Sequence, residues 1–342
     1  MANITLRAIT YQYSFKCLFS VLFLTVSCFC TTKAQEEYTK VPKAITAESL
    51  GITSKVKSIY KIEYSISTAE RTLDDTTHWV DTLLNKNIET TSYFNKLGYL
   101  SMKTLDSFDE KGKIEQSRTT RYYHNKDRQI LALSHYIDHR FKDSIRVEYD
   151  HRHKDRVEEL TYYDKKGDVV RYVEFFYRND RIFNVKLRNP DRSLQNFIRY
   201  EYFDNGMLRE KEVKGSTMQY MYSVKYEYDS IGDGNIQMNR YDYVGLYKCK
   251  QMIGKVFNSD GQMLEKTVTD STKHVIDYRT LTYNDKGLLA TEQVFAGESS
   301  SDKEYTYEFD DKGYWRTVKV SDKGTPVSKT HRVIEYRTNE EE

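Results

Sequence analysis

A short phrase returns along this chain of 342 residues: an aromatic residue, then Asn or Asp, two further residues and Gly. The Asn or Asp side chain accepts a hydrogen bond from the backbone two residues on, and Gly adopts the positive φ that closes the turn. Each copy therefore predicts a hairpin turn with a bulge at the Gly. Full copies begin at Phe94, Phe108, Tyr163, Phe257, Tyr283 and Phe309, and a contracted copy begins at Phe203. The predicted turn glycines are Gly98, Gly112, Gly167, Gly206, Gly261, Gly287 and Gly313.

Between the turns, aromatic or β-branched residues alternate with charged ones, as in residues 224–228 and 304–309. A period of two indicates strands with one buried and one wet face. The sequence thus predicts an all-β repeat protein, a long antiparallel meander of roughly 18 to 22 strands. So many strands cannot stay flat, so we expect a twisted or spirally wound sheet, with a twisted ribbon or a two-layer sandwich as alternatives.

The first 34 residues have the pattern of a secretory signal peptide. Arg7 and Lys16 precede an apolar run that is too short to span a bilayer, and small residues stand before Gln35. The pattern predicts an exported protein, in the periplasm, on the outer-membrane surface or outside the cell. We expect no transmembrane segment in the mature chain.

Three of the four cysteines, Cys17, Cys28 and Cys30, lie in this predicted signal peptide. Its removal would leave Cys249 alone, so the mature fold is expected to have no intramolecular disulfide and to depend on packing. In an alternative interpretation, Cys28 ends a lipoprotein box and carries a lipid.

The charge balance restricts the class of partner. Without residues 1–34 the chain has 50 basic and 51 acidic residues, since that segment contains Arg7, Lys16 and Lys33 and no acid. A nearly neutral, evenly mixed surface argues against nucleic acid and against electrostatic membrane binding. The 30 tyrosines suit half-buried strand positions, where the ring packs and the hydroxyl reaches water.

Composition suggests a simple domain organisation. After the signal peptide (1–34), we expect a linker over 35–54, one continuous β-hairpin repeat domain over 55–338 and an acidic tail at 339–342.

The tyrosine-rich units resemble the YD or RHS repeats of bacterial secreted and surface proteins. The likeness rests on Tyr163-Asp164 followed by Lys166-Gly167, and on the cognate units at Tyr283 and Phe309. The resemblance implies a spiralling β-sheet, which in the longest members encloses a C-terminal toxin. This chain is much shorter and has no distinct domain after its last repeat, so we expect no toxin cargo. The signal peptide and the first strand also resemble exported repeat proteins of Bacteroides-like bacteria.

A second pattern, Asp followed by Ser or Thr, resembles the O-glycan acceptor motif of exported proteins in that phylum. At any one site, ordinary turn chemistry is the alternative. The candidate acceptors are Thr76, Thr82, Ser144, Ser230 and Ser271.

The sequence contains few candidates for metal-binding or catalytic residues. His135, His139, His151 and His153 fall within 19 residues, and the last two would point the same way on a strand and share a metal. Basic and acidic neighbours favour a solvated strand end instead, so we expect no metal site and no cofactor. The sequence has no nucleophile elbow, phosphate-binding loop or HExxH helix. Because its carboxylates alternate with Lys and Arg on a wet face, we expect no catalytic residues and no enzyme.

Exposed tyrosines are the stronger candidates for function, since a row of rings stacks on sugars or docks a partner. The alternative is that the same rings form the buried face of the sheet. The candidate contact residues are Tyr226, Tyr228, Tyr305 and Tyr307.

These observations predict a cell-envelope repeat protein with a non-catalytic binding or structural role, its partner a glycan or an envelope protein. One alternative is a glycan-active hydrolase, which requires two carboxylates that converge in a cleft. Another is a partner or immunity-type protein of a secretion system.

Overall fold

The structure, a computed structural model, describes residues 45–50, 52, 56–74, 77–245 and 248–337; the side chains of residues 67–83 are not part of that description. The predicted signal peptide with Cys28 and the acidic tail lie outside the described residues. Apart from a short 3₁₀ helix at Glu48–Leu50, the regular structure described is entirely β. No helix in these ranges has the length and apolar character needed to cross a membrane.

The chain forms two compact units, the terminal unit (residues 45–170 and 302–337) and the central unit (171–301). The strands of the terminal unit are β1 (Val56–Asp74), β2 (Thr77–Phe94), β3 (Leu100–Phe108), β4 (Ile114–His124), β5 (Ile130–Ile137), β6 (Arg140–Tyr149), β7 (Val157–Tyr163), β18 (Ser299–Phe309), β19 (Trp315–Asp322) and β20 (Thr325–Tyr336). Those of the central unit are β8 (Val169–Arg178), β9 (Arg181–Arg188), β10 (Leu194–Tyr202), β11 (Leu208–Gly215), β12 (Tyr220–Ser230), β13 (Ile236–Val244), β14 (Lys248–Phe257), β15 (Met263–Asp270), β16 (Val275–Tyr283) and β17 (Leu289–Ala296).

The copies of the repeated phrase all form the same type of hairpin turn. In the turn after β2, the side-chain oxygen of Asn95 accepts hydrogen bonds from the backbone N–H of Leu97 and Tyr99, each at 3.0 Å. The backbone N–H of Gly98 donates to the Asn95 carbonyl at 2.9 Å. The same arrangement begins at Asp109, Asp164, Asn258, Asn284 and Asp310. All seven turn glycines named above have a positive φ, between 71° and 90°.

Two details of the turn differ from the expectation. The pairing runs Tyr93 to Met102 and then Phe94 to Leu100, so the extra residue is Ser101, in the strand after the turn and not at the Gly. The copy near Phe203 is not contracted, because the backbone N–H of Gly206 donates to the carbonyl of Phe203 at 2.8 Å. Tyr202 is therefore its aromatic anchor, and Phe203 occupies the Asn/Asp position.

The strand order is an antiparallel meander, as expected. Successive strands pair from β8 to β17 in the central unit. In the terminal unit they pair from β1 to β7 and from β18 to β20, and β20 also pairs with β1. The first and last strands therefore pair with each other instead of forming two free edges, and the expectation of a spirally wound sheet is wrong. This pairing satisfies backbone groups that a spiral would leave exposed at its edges.

Alternation along the strands separates a buried face from a polar one. In β9, Val185 and Leu187 are fully buried, whereas Lys186 and Arg188 on the other face remain partly exposed. Complete burial of each such aliphatic side chain stabilises the fold by about 1.5–3 kcal/mol.

The segment before β1 packs on the terminal unit. The Ala47 N–H donates to the Gly98 carbonyl at 3.1 Å, and the Leu100 N–H donates to the Ile45 carbonyl at 2.8 Å. The side chains of Ala47 and Ile52 are buried in a core cluster whose other buried members are Val56, Ile59, Phe94 and Leu100. Part of the predicted linker thus covers the first hairpin turn.

Alanine at Gly313 is expected to lower the free energy of unfolding by about 1 kcal/mol or more, because its φ of +82° strains any residue with a Cβ. No atom lies within 4 Å of the added Cβ, so the loss reports backbone strain alone. Gly254→Ala is the matched control, since that glycine has no positive φ and its Cβ would meet ordinary contacts at 3.4 and 4.0 Å. Equal denaturation midpoints for the two variants would contradict the turn assignment.

Candidate functional site

An open groove of about 740 Å³ lies at one end of the central unit. Because β9 and β10 are antiparallel neighbours, the start of β9 and the end of β10 meet there, together with the turns that flank them. The wall combines basic and aromatic side chains, and we call it the arginine–aromatic groove. It is lined by Arg178, Arg181, Lys214, Phe183, Phe197 and Phe203, and also by the acidic Glu201 and Asp204, among others.

The two arginines come from the tight β8–β9 hairpin. Arg178 and Arg181 are directly opposite each other, and both are exposed. Between them Asn179 and Asp180 have φ values of 49° and 62°, the conformation of a two-residue type I′ turn. The guanidinium of Arg178 lies 4.8 Å from the ring centre of Phe183, within cation–π range.

Arg181 lies across the next turn. Its guanidinium is 5.7 Å from the ring centre of Tyr202, and a Cβ added to Gly206 would come within 2.1 Å of one of its nitrogens. The Tyr202 hydroxyl donates to the Ile182 carbonyl at 2.7 Å. Burial raises the pKa of that hydroxyl, and the charge of Arg181 opposes the shift. The hydrogen bond of its hydroxyl thus holds Tyr202 in place, and the guanidinium of Arg181 lies over its ring.

Phe203 extends the aromatic wall of the groove. Its ring meets Tyr228 edge-to-face with centres 6.1 Å apart, and the guanidinium of Arg209 lies 5.9 Å from its centre. The side chain is still 36% exposed, so part of its surface faces the groove.

A smaller acidic pocket of about 220 Å³ adjoins the groove, lined by Arg199, Glu201, Glu210 and Glu212. Glu201 and Glu210 are directly opposite each other on β10 and β11. Each carboxylate has a basic partner: Arg199 for Glu201 at 2.5 Å, Lys214 for Glu212 at 3.3 Å and Lys225 for Glu210 at 3.9 Å. Such pairs stabilise a sheet surface modestly, and the exposed ones contribute about 1 kcal/mol or less.

The structure places Tyr226 and Tyr228 on the packed face of β12. They share that face with the buried Val224, and Tyr228 lies opposite the buried Met238 of β13. Their rings stack on each other with centres 6.5 Å apart and an interplanar angle of 13°. Both are half-buried and neither lines the groove, although Phe203 connects Tyr228 to it.

Tyr305 and Tyr307 alternate in β18 with exposed charged or polar neighbours and are themselves half-buried. They lie opposite Val320 and Val318 of β19. Burial raises the pKa of Tyr307 to about 12, as expected for a hydroxyl withdrawn from water. Their position on a packed face favours the alternative interpretation, in which these rings form part of the buried face of the sheet.

The candidate O-glycan acceptors have different surroundings. Ser230 is exposed at the end of β12, and Ser271 is exposed in the turn after β15, where Asp270 accepts hydrogen bonds from the backbone and hydroxyl of Thr272. Ser144 is half-buried in the middle of β6. Thr76 and the side chain of Thr82 lie outside the described residues.

The histidines do not converge. His151 and His153 are exposed in the loop after β6, not on a strand, and His139 lies in the β5–β6 turn. His135 instead contacts Asp143 across the β5–β6 pair, Nδ1 to Oδ1 at 2.5 Å. Although burial opposes it, this contact lowers the pKa of Asp143. The described ranges contain no group of three His, Cys, Asp or Glu side chains placed to hold a metal ion, and Cys249 is a free thiol in β14.

Sequence reasoning did not find the arginine–aromatic groove. One signal was present, the symmetric Arg178-Asn179-Asp180-Arg181, which predicts a tight turn flanked by like charges. Nothing local, however, indicated that this turn lies beside the turn at Phe203.

No protein-family model matches the chain, and no curated protein matches it. Solved structures give weak matches. A porin-like protein from Bacteroides uniformis ATCC 8492 aligns at 9% identity and a TM-score of 0.30, covering 83% of this chain and 98% of that one. A porin-like protein from Bacteroides vulgatus ATCC 8482 aligns at 14% identity and a TM-score of 0.30, covering 65% and 94%. The TcdB2–TccC3–Cdc42 structure aligns at 10% identity and a TM-score of 0.25, covering 81% of this chain and 19% of that one. Likenesses at these TM-scores carry no argument about function, and the resemblance to YD or RHS repeats stays a prediction.

Proposed function

We propose that this is an exported cell-envelope protein with a non-catalytic binding role, and that the arginine–aromatic groove binds a carbohydrate chain. The observation that carries the proposal is the groove itself, in which Phe183, Phe197 and Phe203 stand beside polar side chains in an open channel. Sugar rings present apolar faces to aromatic side chains and hydroxyls to polar ones, and binding sites combine these two features. The open form suits a chain that enters and leaves at the sides.

The test is a carbohydrate microarray followed by isothermal titration of the purified exported protein. We expect saturable binding of at least one carbohydrate, weakened about tenfold or more by Phe203→Ala, which corresponds to roughly 1.4 kcal/mol. Phe141→Ala is the matched control, because Phe141 is exposed to a similar extent, 38% against 36%, on β6 of the terminal unit. Equal loss in both variants, or no carbohydrate binding by the parent protein, would overturn the proposal.

A second candidate function is glycan hydrolysis at the acidic pocket, favoured by the direct opposition of Glu201 and Glu210. Side chains opposite each other on neighbouring strands approach the separation of about 5 Å that retaining glycosidases use. Against it, both carboxylates have basic partners, whereas a glycosidase needs one carboxyl group that stays protonated. Release of reducing ends from a bound glycan, abolished by Glu210→Gln, would establish hydrolysis.

A further inference from the structure

The closing pair of the β8–β9 hairpin brings two like charges together. Arg178 and Arg181 are directly opposite, an arrangement that destabilises a sheet when nothing compensates it. The Asn179-Asp180 turn, with positive φ at both residues, holds the two strands at this point. The fold thus maintains a local concentration of positive charge at the rim of the groove.

Basic side chains near this hairpin differ from Arg178 and Arg181 in that they form ion pairs. Arg199, Lys214 and Lys225 each have a carboxylate partner, and on the adjoining strands Arg188 pairs with Glu174 at 2.6 Å. Within the part of the chain that the structure describes, no ion pair involves Arg178 or Arg181. Their observed contacts are instead with the rings of Phe183 and Tyr202.

Stacking on a ring occupies the face of a guanidinium and leaves its in-plane N–H donors to bind an acceptor. Arg181 is also confined by the turn beneath it, since it occupies the space that a Cβ on Gly206 would need. Two oriented guanidinium forks therefore stand at the rim of the groove, and such forks match the geometry of carboxylate and sulfate groups.

We propose that the ligand of the groove is an acidic polysaccharide, whose carboxylate or sulfate groups bind Arg178 and Arg181 while its sugar rings pack on Phe197 and Phe203. This inference rests on the proposed function and adds the ligand's chemical class. The side chains that line the groove include four basic residues, Arg178, Arg181, Arg199 and Lys214, against two acidic ones, Glu201 and Asp204, so the balance of charge favours an anionic ligand. The acidic residues of the adjoining pocket have basic partners of their own.

The test compares polysaccharides that share a backbone and differ in charge: polygalacturonate with its methyl ester, alginate with its propylene glycol ester, and dextran sulfate with dextran. Binding to the purified exported protein is measured at 150 mM salt, where non-specific attraction is screened. At least one acidic form is expected to bind about tenfold or more tightly than its neutral counterpart. The Arg178→Gln, Arg181→Gln double variant should lose that preference.

Two controls separate a binding role from a structural one. Arg152→Gln removes one exposed hairpin-loop arginine in the terminal unit and should change binding by less than about twofold. The melting temperature of the double variant should change little, because relief of the like-charge pair offsets the loss of the contacts with Phe183 and Tyr202. Lysine at both positions should restore only part of the binding, since it keeps the charge but lacks the planar fork.

The outcomes are distinct. Equal binding of the acidic and neutral forms would overturn the acidic class and leave carbohydrate binding in place. A preference for acidic forms that survives in the double variant would overturn the assignment to Arg178 and Arg181. Failure of every polysaccharide, together with a blank carbohydrate microarray, would overturn the proposed function as well.

Discussion

Truncating Phe94 to alanine is expected to lower the free energy of unfolding by about 3–5 kcal/mol, the range for a large aromatic side chain removed from a packed core. Phe94 is only 4% exposed and is the aromatic anchor of the first repeat turn. It belongs to the same buried cluster as Ile52 and Val56, which come from the segment before β1 and from the start of β1. Its loss therefore leaves a cavity between the segment around the start of β1 and the first repeat turn, which are about 40 residues apart in sequence.

Residues near the C-terminal end of the described chain also pack against this cluster. Ile334 and Tyr336 of β20 pack against it, and Arg337 donates to the Phe94 carbonyl at 2.5 Å. We therefore expect Phe94→Ala to weaken the β1–β20 pairing as well as the first turn. Faster hydrogen exchange at the amides of β20 would show this directly.

Urea denaturation of Phe94→Ala beside Phe141→Ala provides the measurement. Phe141 is 38% exposed on β6, so its truncation should change the free energy of unfolding by less than about 1 kcal/mol. Phe94→Leu keeps most of the volume and should recover much of the loss. Similar midpoints for Phe94→Ala and Phe141→Ala would show that the cluster does not stabilise the terminal unit.

The repeat turns were the most predictable part of the fold, because each depends on a few consecutive residues. An Asn or Asp oxygen and a Gly with positive φ are local requirements, and they are legible in the sequence at Asn95 and Gly98. Dependence on a few residues also explains why the copy near Phe203 was wrongly predicted to be contracted. There Phe203, which has no side-chain acceptor, occupies the Asn/Asp position, and Tyr202 is the aromatic anchor.

The pairing of β1 with β20, in which Ile59 lies opposite Ile334, was not predictable in the same way. Alternation indicates that both segments are strands, but it is the same in every strand of the chain and so does not specify partners. The groove depends on a similar long-range match, between the turn at Arg178 and the turn at Phe203, and no periodic signal reports that match.

The alternating pattern also concealed a charged residue on a packed face, and this leads to the second large effect. Lys103 of β3 lies opposite Ser92 and Thr120, and burial lowers its pKa to about 8. The charge of Lys61 adds to the shift, whereas Glu63 opposes it. Lys61 and Glu63 form an ion pair with each other.

Replacing Lys103 with Met is expected to stabilise the protein at pH 7 by about 1–3 kcal/mol, since each pKa unit corresponds to about 1.4 kcal/mol. The folded-state pKa, about 8, lies below the ordinary lysine value of 10.5. Below pH 8 both the folded and the unfolded chain carry the charge, so the penalty for placing it in this site is fully present. As pH rises from about 8 towards 10.5, the folded chain loses the proton first and the penalty fades. The advantage of Lys103→Met should therefore shrink across that window.

Denaturation of the parent and the variant at pH 7 and pH 10 measures this difference and cancels the titration of the other lysines. Lys165→Met, at an exposed turn position before β8, is the control and should shift stability by less than about 0.5 kcal/mol at either pH. If Lys103→Met stabilises no more than Lys165→Met, or if its advantage is the same at both pH values, Lys103 does not carry an uncompensated charge in the fold. If the expected pattern appears, the packed face of the terminal unit retains a lysine that opposes folding at neutral pH, and the positive charge of Lys61, which pairs with Glu63, adds to that opposition.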